Sequence, residues 1–165
     1  MKKIDLGCGD QKKEGYIGID ISKESNADII HNIKTGLPFE NESIDEIRAY
    51  SVLEHFTTTE FINIMWEIWR VLKIEGICDI LIPHGLSETA VKDPTHRLMK
   101  DEHIFSYFRP TAIRQIQYSL PPFSTIKNKR ENNLIYTIIK KEKLPDNQDI
   151  VICQECGRKM IINKK

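Results

Sequence analysis

The sequence predicts an α/β domain: a mostly parallel sheet with helices on its faces, closed by a late antiparallel hairpin. Short apolar strands alternate with loops and with one strong amphipathic helix. The first strands end in glycine-rich or acidic loops, which places ligands at the carboxyl ends of a parallel sheet. The last two apolar runs are joined by the turn-rich Glu131-Asn132-Asn133.

Lys3-Ile4-Asp5-Leu6 reads as a first strand running into Gly7-Cys8-Gly9. Residues 16–21 and 27–31 read as the second and third strands, and residues 44–50 as a fourth with alternating polarity. Thr58 or Thr59 is expected to cap the helix that follows, with Glu60 in its first turn complementing the helix dipole. Phe61, Ile64, Met65, Ile68 and Leu72 recur at helical spacing. Trp66 and Trp69 widen that apolar face and read as core. Gly76 is expected to end the helix and open a fifth strand over residues 77–82, stopped by Pro83. A polar insertion follows to about Glu102, then a helical stretch from Pro110 to Tyr118, broken at Leu120-Pro121-Pro122. Residues 124–129 and 134–143 read as the final strands. Pro145-Asp146-Asn147 is the best linker, dividing the chain into a domain, 1–144, and a tail, 145–165.

With 165 residues, 40% hydrophobic and 29% charged, the chain can bury one core. No apolar run approaches the roughly 20 residues that span a bilayer as a helix. Met1-Lys2-Lys3-Ile4-Asp5 lacks the apolar stretch of a signal peptide. Four cysteines are too few for a disulfide scaffold at this length, so a cytoplasmic chain with reduced thiols is expected. Positive and negative side chains balance at 24 each. The balance hides an asymmetry: residues 127–165 hold ten Lys/Arg against five Asp/Glu. Such an end can meet an acidic partner, but it also suits a solvated lysine-rich face. It does not resemble a dedicated nucleic-acid binder, whose domain pI usually exceeds about 9.

The chemistry concentrates at Asp5-Leu6-Gly7-Cys8-Gly9, with Asp20 ending the next strand. Glycines let a backbone turn sharply and approach a ligand closely. An acidic side chain on the neighbouring strand can accept both hydroxyls of a ribose. Together they describe a nucleoside site. A dinucleotide-type loop would want a third glycine where Lys12 stands.

In order along the chain, these segments resemble the class I S-adenosylmethionine-dependent methyltransferases. Residues 3–9 and Gly18-Ile19-Asp20 are similar to the first two motifs of that family. Leu37-Pro38-Phe39 with Ser43-Ile44-Asp45-Glu46-Ile47 resembles the stretch leading into its fourth strand. Ser51-Val52-Leu53-Glu54-His55 resembles the segment after that strand, and Arg70-Val71-Leu72-Lys73-Ile74-Glu75-Gly76 the turn before the fifth. Asp93-Pro94-Thr95-His96, with a following Phe105, is similar to an element of a small-methyltransferase subgroup. The resemblance covers roughly residues 3–110.

It implies a Rossmann-like sheet of seven strands and a bound S-adenosylmethionine. By position, Asp5, Gly7, Cys8 and Gly9 would line the methionine and ribose region. Asp20 would hold the ribose hydroxyls, with Ile21 beside it. Asn32 stands where the family places an acidic residue near the adenine. Ser51, Leu53 and His55 would border the transferred methyl. The family's N-terminal helices are expected to be missing, because the chain opens almost at its first strand. Asp10–Gly15 is only six residues. A parallel crossover with a helix needs at least about 10–12, so the first crossover helix is expected to be absent or reduced to a turn. The insertion after Pro83, or a second subunit in a homodimer, would then close the pocket.

Methyl transfer needs alignment of the acceptor and, for a hydroxyl, a base. His55, His84 and His96 are the candidate bases, with His55 placed best because it follows the fourth strand. His84, His96 and His103 match no standard metal-ligand spacing. The chain lacks the Asn/Asp-Pro-Pro-Tyr/Phe element common in methylation of base or amide nitrogens. A small-molecule or glycan acceptor, methylated on oxygen or carbon, is therefore expected. The alternative is a non-catalytic module that binds cofactor or a partner through the same fold. In the tail, Cys153 and Cys156 form one Cys-x-x-Cys-Gly knuckle. That is half of a zinc site, which a symmetric dimer could complete, or a hairpin with free thiols.

Overall fold

The computed structural model describes residues 1–110, 118–154 and 159–164. The helical stretch expected over Pro110–Tyr118 lies, apart from its ends, outside them. Strands β1 (Lys3–Leu6), β2 (Ile17–Asp20), β3 (Ile29–Ile30), β4 (Ile44–Tyr50), β5 (Leu72–Pro83), β6 (Phe123–Glu131) and β7 (Leu134–Lys141) form one sheet. Their order is β3-β2-β1-β4-β5-β7-β6. β1 to β5 run parallel, and β7 runs antiparallel to both β5 and β6. This is the Rossmann-like sheet that the resemblance implies. β8 (Gln148–Ile152) and β9 (Lys159–Asn163) pair antiparallel as a separate two-stranded sheet.

The first crossover contains no helix. Residues 7–16 pass from β1 to β2 through turns, with Gln11 N bonded to Cys8 O at 3.1 Å and Tyr16 N to Lys13 O at 3.2 Å. No helix precedes β1 among the described residues.

Among the described residues, helix α1 (Thr58–Val71) covers one face of the sheet. One set of alternating side chains, including Ile4, Leu6, Ile47, Ala49, Ile80 and Ile139, is fully buried. It packs in one cluster with Phe61, Ile64, Met65 and Ile68 of helix α1. The intervening set is half-buried and polar. Arg48 bonds Asp5 at 2.7 Å and lies over the Tyr50 ring, Tyr50 bonds Asp79 at 2.9 Å, and Lys3 pairs with Glu46 at 2.5 Å. A parallel sheet is usually covered on both faces. Here the β1–β2 and β2–β3 connections are too short to carry the covering helices, and a network of ion pairs satisfies that face instead.

Two further expectations shift. The helix cap is Thr57, not Thr58 or Thr59. Its Oγ1 accepts from Glu60 N at 3.3 Å while Glu60 accepts from Thr57 N at 2.8 Å, a reciprocal capping box. The helix also ends at Val71 rather than at Gly76, because Leu72 already pairs with Ile44 in the sheet. Residues 73–75 then loop out, and Gly76 brings the chain back. A Cβ there would sit 2.8 Å from Lys73 O, so only glycine fits.

Within the insertion after Pro83, Ser87 caps a short helix, α2 (Glu88–Lys92). Asn132 and Asn133 both take positive φ in the two-residue β6–β7 turn, the form that suits the twist of a hairpin. Trp66 is buried in the core, as expected; Trp69 is half-buried and packs against it. Their indole N–H groups bond Ser119 O at 2.9 Å and Glu142 O at 3.0 Å.

Candidate functional site

The loop after β1 is shaped by two left-handed glycines. Gly7 (φ +62°) lies so close to the segment after β4 that a Cβ would sit 2.3 Å from Val52 Cγ2. Gly9 (φ +50°) faces open space where a Cβ would lie, while its carbonyl accepts from Asn26 N at 3.0 Å. Asp20, at the end of β2, holds this loop: Oδ2 accepts from Gly9 N at 2.9 Å and Oδ1 from Ser22 N at 2.8 Å. Each carboxylate oxygen keeps a further lone pair for a hydroxyl donor. Ile21, next to it, is 67% exposed, an apolar surface beside the carboxylate. Asn32 caps the short turn Ile33–Thr35, its side-chain oxygen accepting from Lys34 N at 3.1 Å. A glycine turn with open space beside Gly9, a carboxylate with spare acceptor capacity and an exposed apolar side chain fit the nucleoside half of S-adenosylmethionine.

Other expected cofactor residues act from behind. Asp5 is buried, and its Oδ2 accepts from Lys13 N at 2.9 Å and Arg48 at 2.7 Å. Through these bonds it braces the crossover. The Cys8 thiol is buried, and burial followed by the nearby Asp5 and Asp20 raises its pKa. The Leu53 side chain is wholly within the core. Ser51 (φ +50°) turns the chain out of β4, its N–H bonded to Leu81 O at 2.9 Å.

Beyond Ser51 lies a cavity of about 740 Å³, lined by Ser51, Glu54, His55, Pro83, His96 and Leu134 among others. Ser51, in its lining, is followed by Val52, the residue that packs against Gly7. Two segments about 40 residues apart meet here: the backbone carbonyl of Glu54 accepts from Arg97 N at 2.7 Å and Leu98 N at 2.9 Å. His55 Nδ1 lies 2.9 Å from Thr95 Oγ1, and Thr95 Oγ1 donates to Asp93 Oδ1 at 2.5 Å. His96 stacks edge-on against His55, with ring centroids 4.9 Å apart. Glu54 is buried, and desolvation pushes its carboxyl up to about 7.

His96 therefore meets Glu54 and His55, while no cluster joins His84, His96 and His103 among the described residues. His84 is buried elsewhere, 3.5 Å from Glu102, and His103 precedes the turn Ile104–Phe108. Sequence reasoning missed Glu54, Asp93 and Thr95 as site residues. Each stood in a recognised segment, but no local spacing reveals that the segments touch. Cys153 is half-buried and directly follows β8; Cys156 lies outside the described residues.

Residues 4–80 match the methyltransferase domain family. No curated protein matches the chain. Among solved structures, a S-adenosylmethionine-dependent methyltransferase from Archaeoglobus fulgidus is similar at 15% identity and TM-score 0.62, over 85% of this chain and 86% of that one. One from Thermotoga maritima is similar at 13% identity and TM-score 0.63, over 86% and 82%. The [4+2]-cyclase SpnF also shares the fold, at 13% identity and TM-score 0.64, over 86% and 74%. Likeness at this level establishes the fold, on which more than one reaction can be built.

Proposed function

We propose that this chain is a class I S-adenosylmethionine-dependent methyltransferase, a reading supported by its match over residues 4–80 and its fold, and that it methylates a small-molecule or glycan acceptor. Oxygen is the favoured acceptor atom. When bound, the sulfonium cofactor supplies the methyl group and takes back the electron pair of the broken carbon–sulfur bond. Gly7 and Gly9 give the backbone its close approach to the cofactor. Asp20 accepts the ribose hydroxyls, Ile21 packs on the adenine, and Asn32 accepts from the adenine amino group. The acceptor occupies the cavity beyond Ser51, and His55 is the residue that activates it.

The observation that carries this is the chain His55–Thr95–Asp93. Thr95 has one hydroxyl proton, and the 2.5 Å contact gives it to Asp93. Thr95 Oγ1 must then accept from His55 Nδ1–H. That leaves the His55 Nε2 lone pair free to act on an acceptor hydroxyl.

Calorimetric titration with S-adenosylhomocysteine tests the cofactor half. Saturable binding that Asp20→Ala abolishes is expected. A radiolabel screen of hydroxylated small molecules and glycans then tests turnover. Binding without turnover on any acceptor would favour the alternative suggested by the missing first crossover helix, a cofactor-binding module.

A further inference from the structure

Glu54, His55 and His96 converge at the wall of the acceptor cavity. A carboxylate oxygen and one nitrogen from each imidazole all lie within 4.8 Å of one another. We propose that these three side chains hold a divalent transition-metal ion of the Zn2+ or Co2+ class, with an open position for an acceptor oxygen. Its part in the reaction rests on the methyltransferase reading above; binding of the ion does not.

Three further observations support the site. First, both rings are set to offer Nε2. His96 Nδ1 lies 3.2 Å from Ala90 O, which can only accept, so Nδ1 carries the proton. His55 Nδ1–H is held by Thr95, which is itself held by Asp93. Metal-ligating histidines are backed in this way, the second nitrogen donating to a carbonyl or a carboxylate-linked group. Second, Glu54 is only 2% exposed, and its Oε2 has no hydrogen-bond partner. Among the described residues no lysine or arginine pairs with it. A cation at the cluster supplies the missing partner. Third, the bonds from Arg97 N and Leu98 N to Glu54 O fix the two segments side by side, so the ligands are held by backbone.

A tetrahedral ion with bonds of about 2.0–2.1 Å needs ligand atoms about 3.3 Å apart, so atoms lying within 4.8 Å of one another close by at most about 1.5 Å on loading. Two imidazoles and a carboxylate with a vacant fourth position make a catalytic rather than a structural donor set. An acceptor hydroxyl in that position loses its proton more readily, as metal-bound water does. The proton leaves to water in the open cavity. The oxygen lone pair then forms the new carbon–oxygen bond as the methyl–sulfur bond breaks, its electrons returning to sulfur. His55 thus acts on the acceptor through the ion. The acceptor class is narrowed to a hydroxyl, phenol or enol oxygen that can ligate a metal.

The test uses the full chain carrying Cys153→Ser and Cys156→Ser, which removes the tail thiols as competing ligands. After chelator treatment it is titrated with Co2+. One equivalent is expected, with visible d–d absorption. Glu54→Gln, which keeps the side-chain volume, and His96→Ala should each weaken binding at least about tenfold. Asp93→Asn, which alters the carboxylate that holds Thr95 and lies 3.6 Å from His96 Nε2, should weaken it about tenfold while leaving the circular dichroism unchanged. No binding at millimolar Co2+, or equal binding by all variants, overturns the site. S-adenosylhomocysteine is titrated in parallel. If it binds while Co2+ does not, the metal site alone falls. If Co2+ binds while it does not, the methyltransferase reading falls and the metal site stands.

Discussion

Gly7 and Gly9 are neighbours with the same backbone hand and opposite surroundings. A left-handed backbone costs a non-glycine residue about 1–2 kcal/mol, so Gly9→Ala should destabilise by about that much. Gly7→Ala adds a collision with Val52 at 2.3 Å and should cost clearly more. Urea denaturation of the two variants measures the gap; equal midpoints would contradict the packing described. His55→Ala should lower the methyl-transfer rate by about 10²-fold or more with little change in S-adenosylhomocysteine affinity. A loss of cofactor affinity instead would move His55 out of the acceptor half. The glycine loop and Asp20 could be paired from sequence because they lie close together at the ends of adjacent strands, and the structure joins them through Gly9 N and Asp20 Oδ2 at 2.9 Å. The acceptor half could not: His55 and Thr95 are 40 positions apart, and only the fold brings them to 2.9 Å.

Helix α1 shows where local signals suffice and where they fail. Its apolar periodicity identified the buried face, including Phe61, Ile64 and Met65. Its start was misplaced at Thr58 or Thr59 because three consecutive threonines, 57–59, are chemically alike. Only Thr57 has Glu60 three residues later to complete the box. Thr57→Ala should cost about 1 kcal/mol. The box also predicts a pH response. Hydrogen bonding from Lys34, then from Thr57 N, holds the Glu60 carboxyl down at about 2, against an ordinary 4.5. A depressed carboxyl stabilises the fold fully above its unfolded value, and that contribution fades as pH falls from about 4.5 through about 2. Thermal melts across that range should therefore fall less steeply for Glu60→Gln than for the parent chain. The helix end was misjudged for a different reason. Gly76 signals a backbone constraint, but the constraint belongs to the close pass of residues 73–76 against β4.

Over the molecule as a whole, the sheet carries its helical cover on one side and a network of charged and aromatic side chains on the other. Arg48 is the centre of that network, bonded to the buried Asp5 and stacked on Tyr50. Removing one partner of a buried pair leaves an uncompensated charge and costs about 3–5 kcal/mol. Arg48→Met should approach that loss in urea denaturation. It should also weaken S-adenosylhomocysteine binding, because the same Asp5 oxygen holds Lys13 N in the crossover. Unchanged cofactor affinity would show that the crossover needs no such brace.

The brevity of that crossover also bears on how the chain reaches its native state. In the register of β1 and β2, Ile4 stands opposite Ile17, only thirteen positions away. Parallel pairs ordinarily wait for a helix to form between them, whereas this one closes over a short loop at small entropic cost. β5 and β7, by contrast, join Ile80 to Thr137. Contacts of short sequence separation form early. In pulse-labelled hydrogen exchange during refolding, the amides of β2 should gain protection before those of β5, so that the edge carrying the glycine loop and Asp20 assembles ahead of the strands that complete the core.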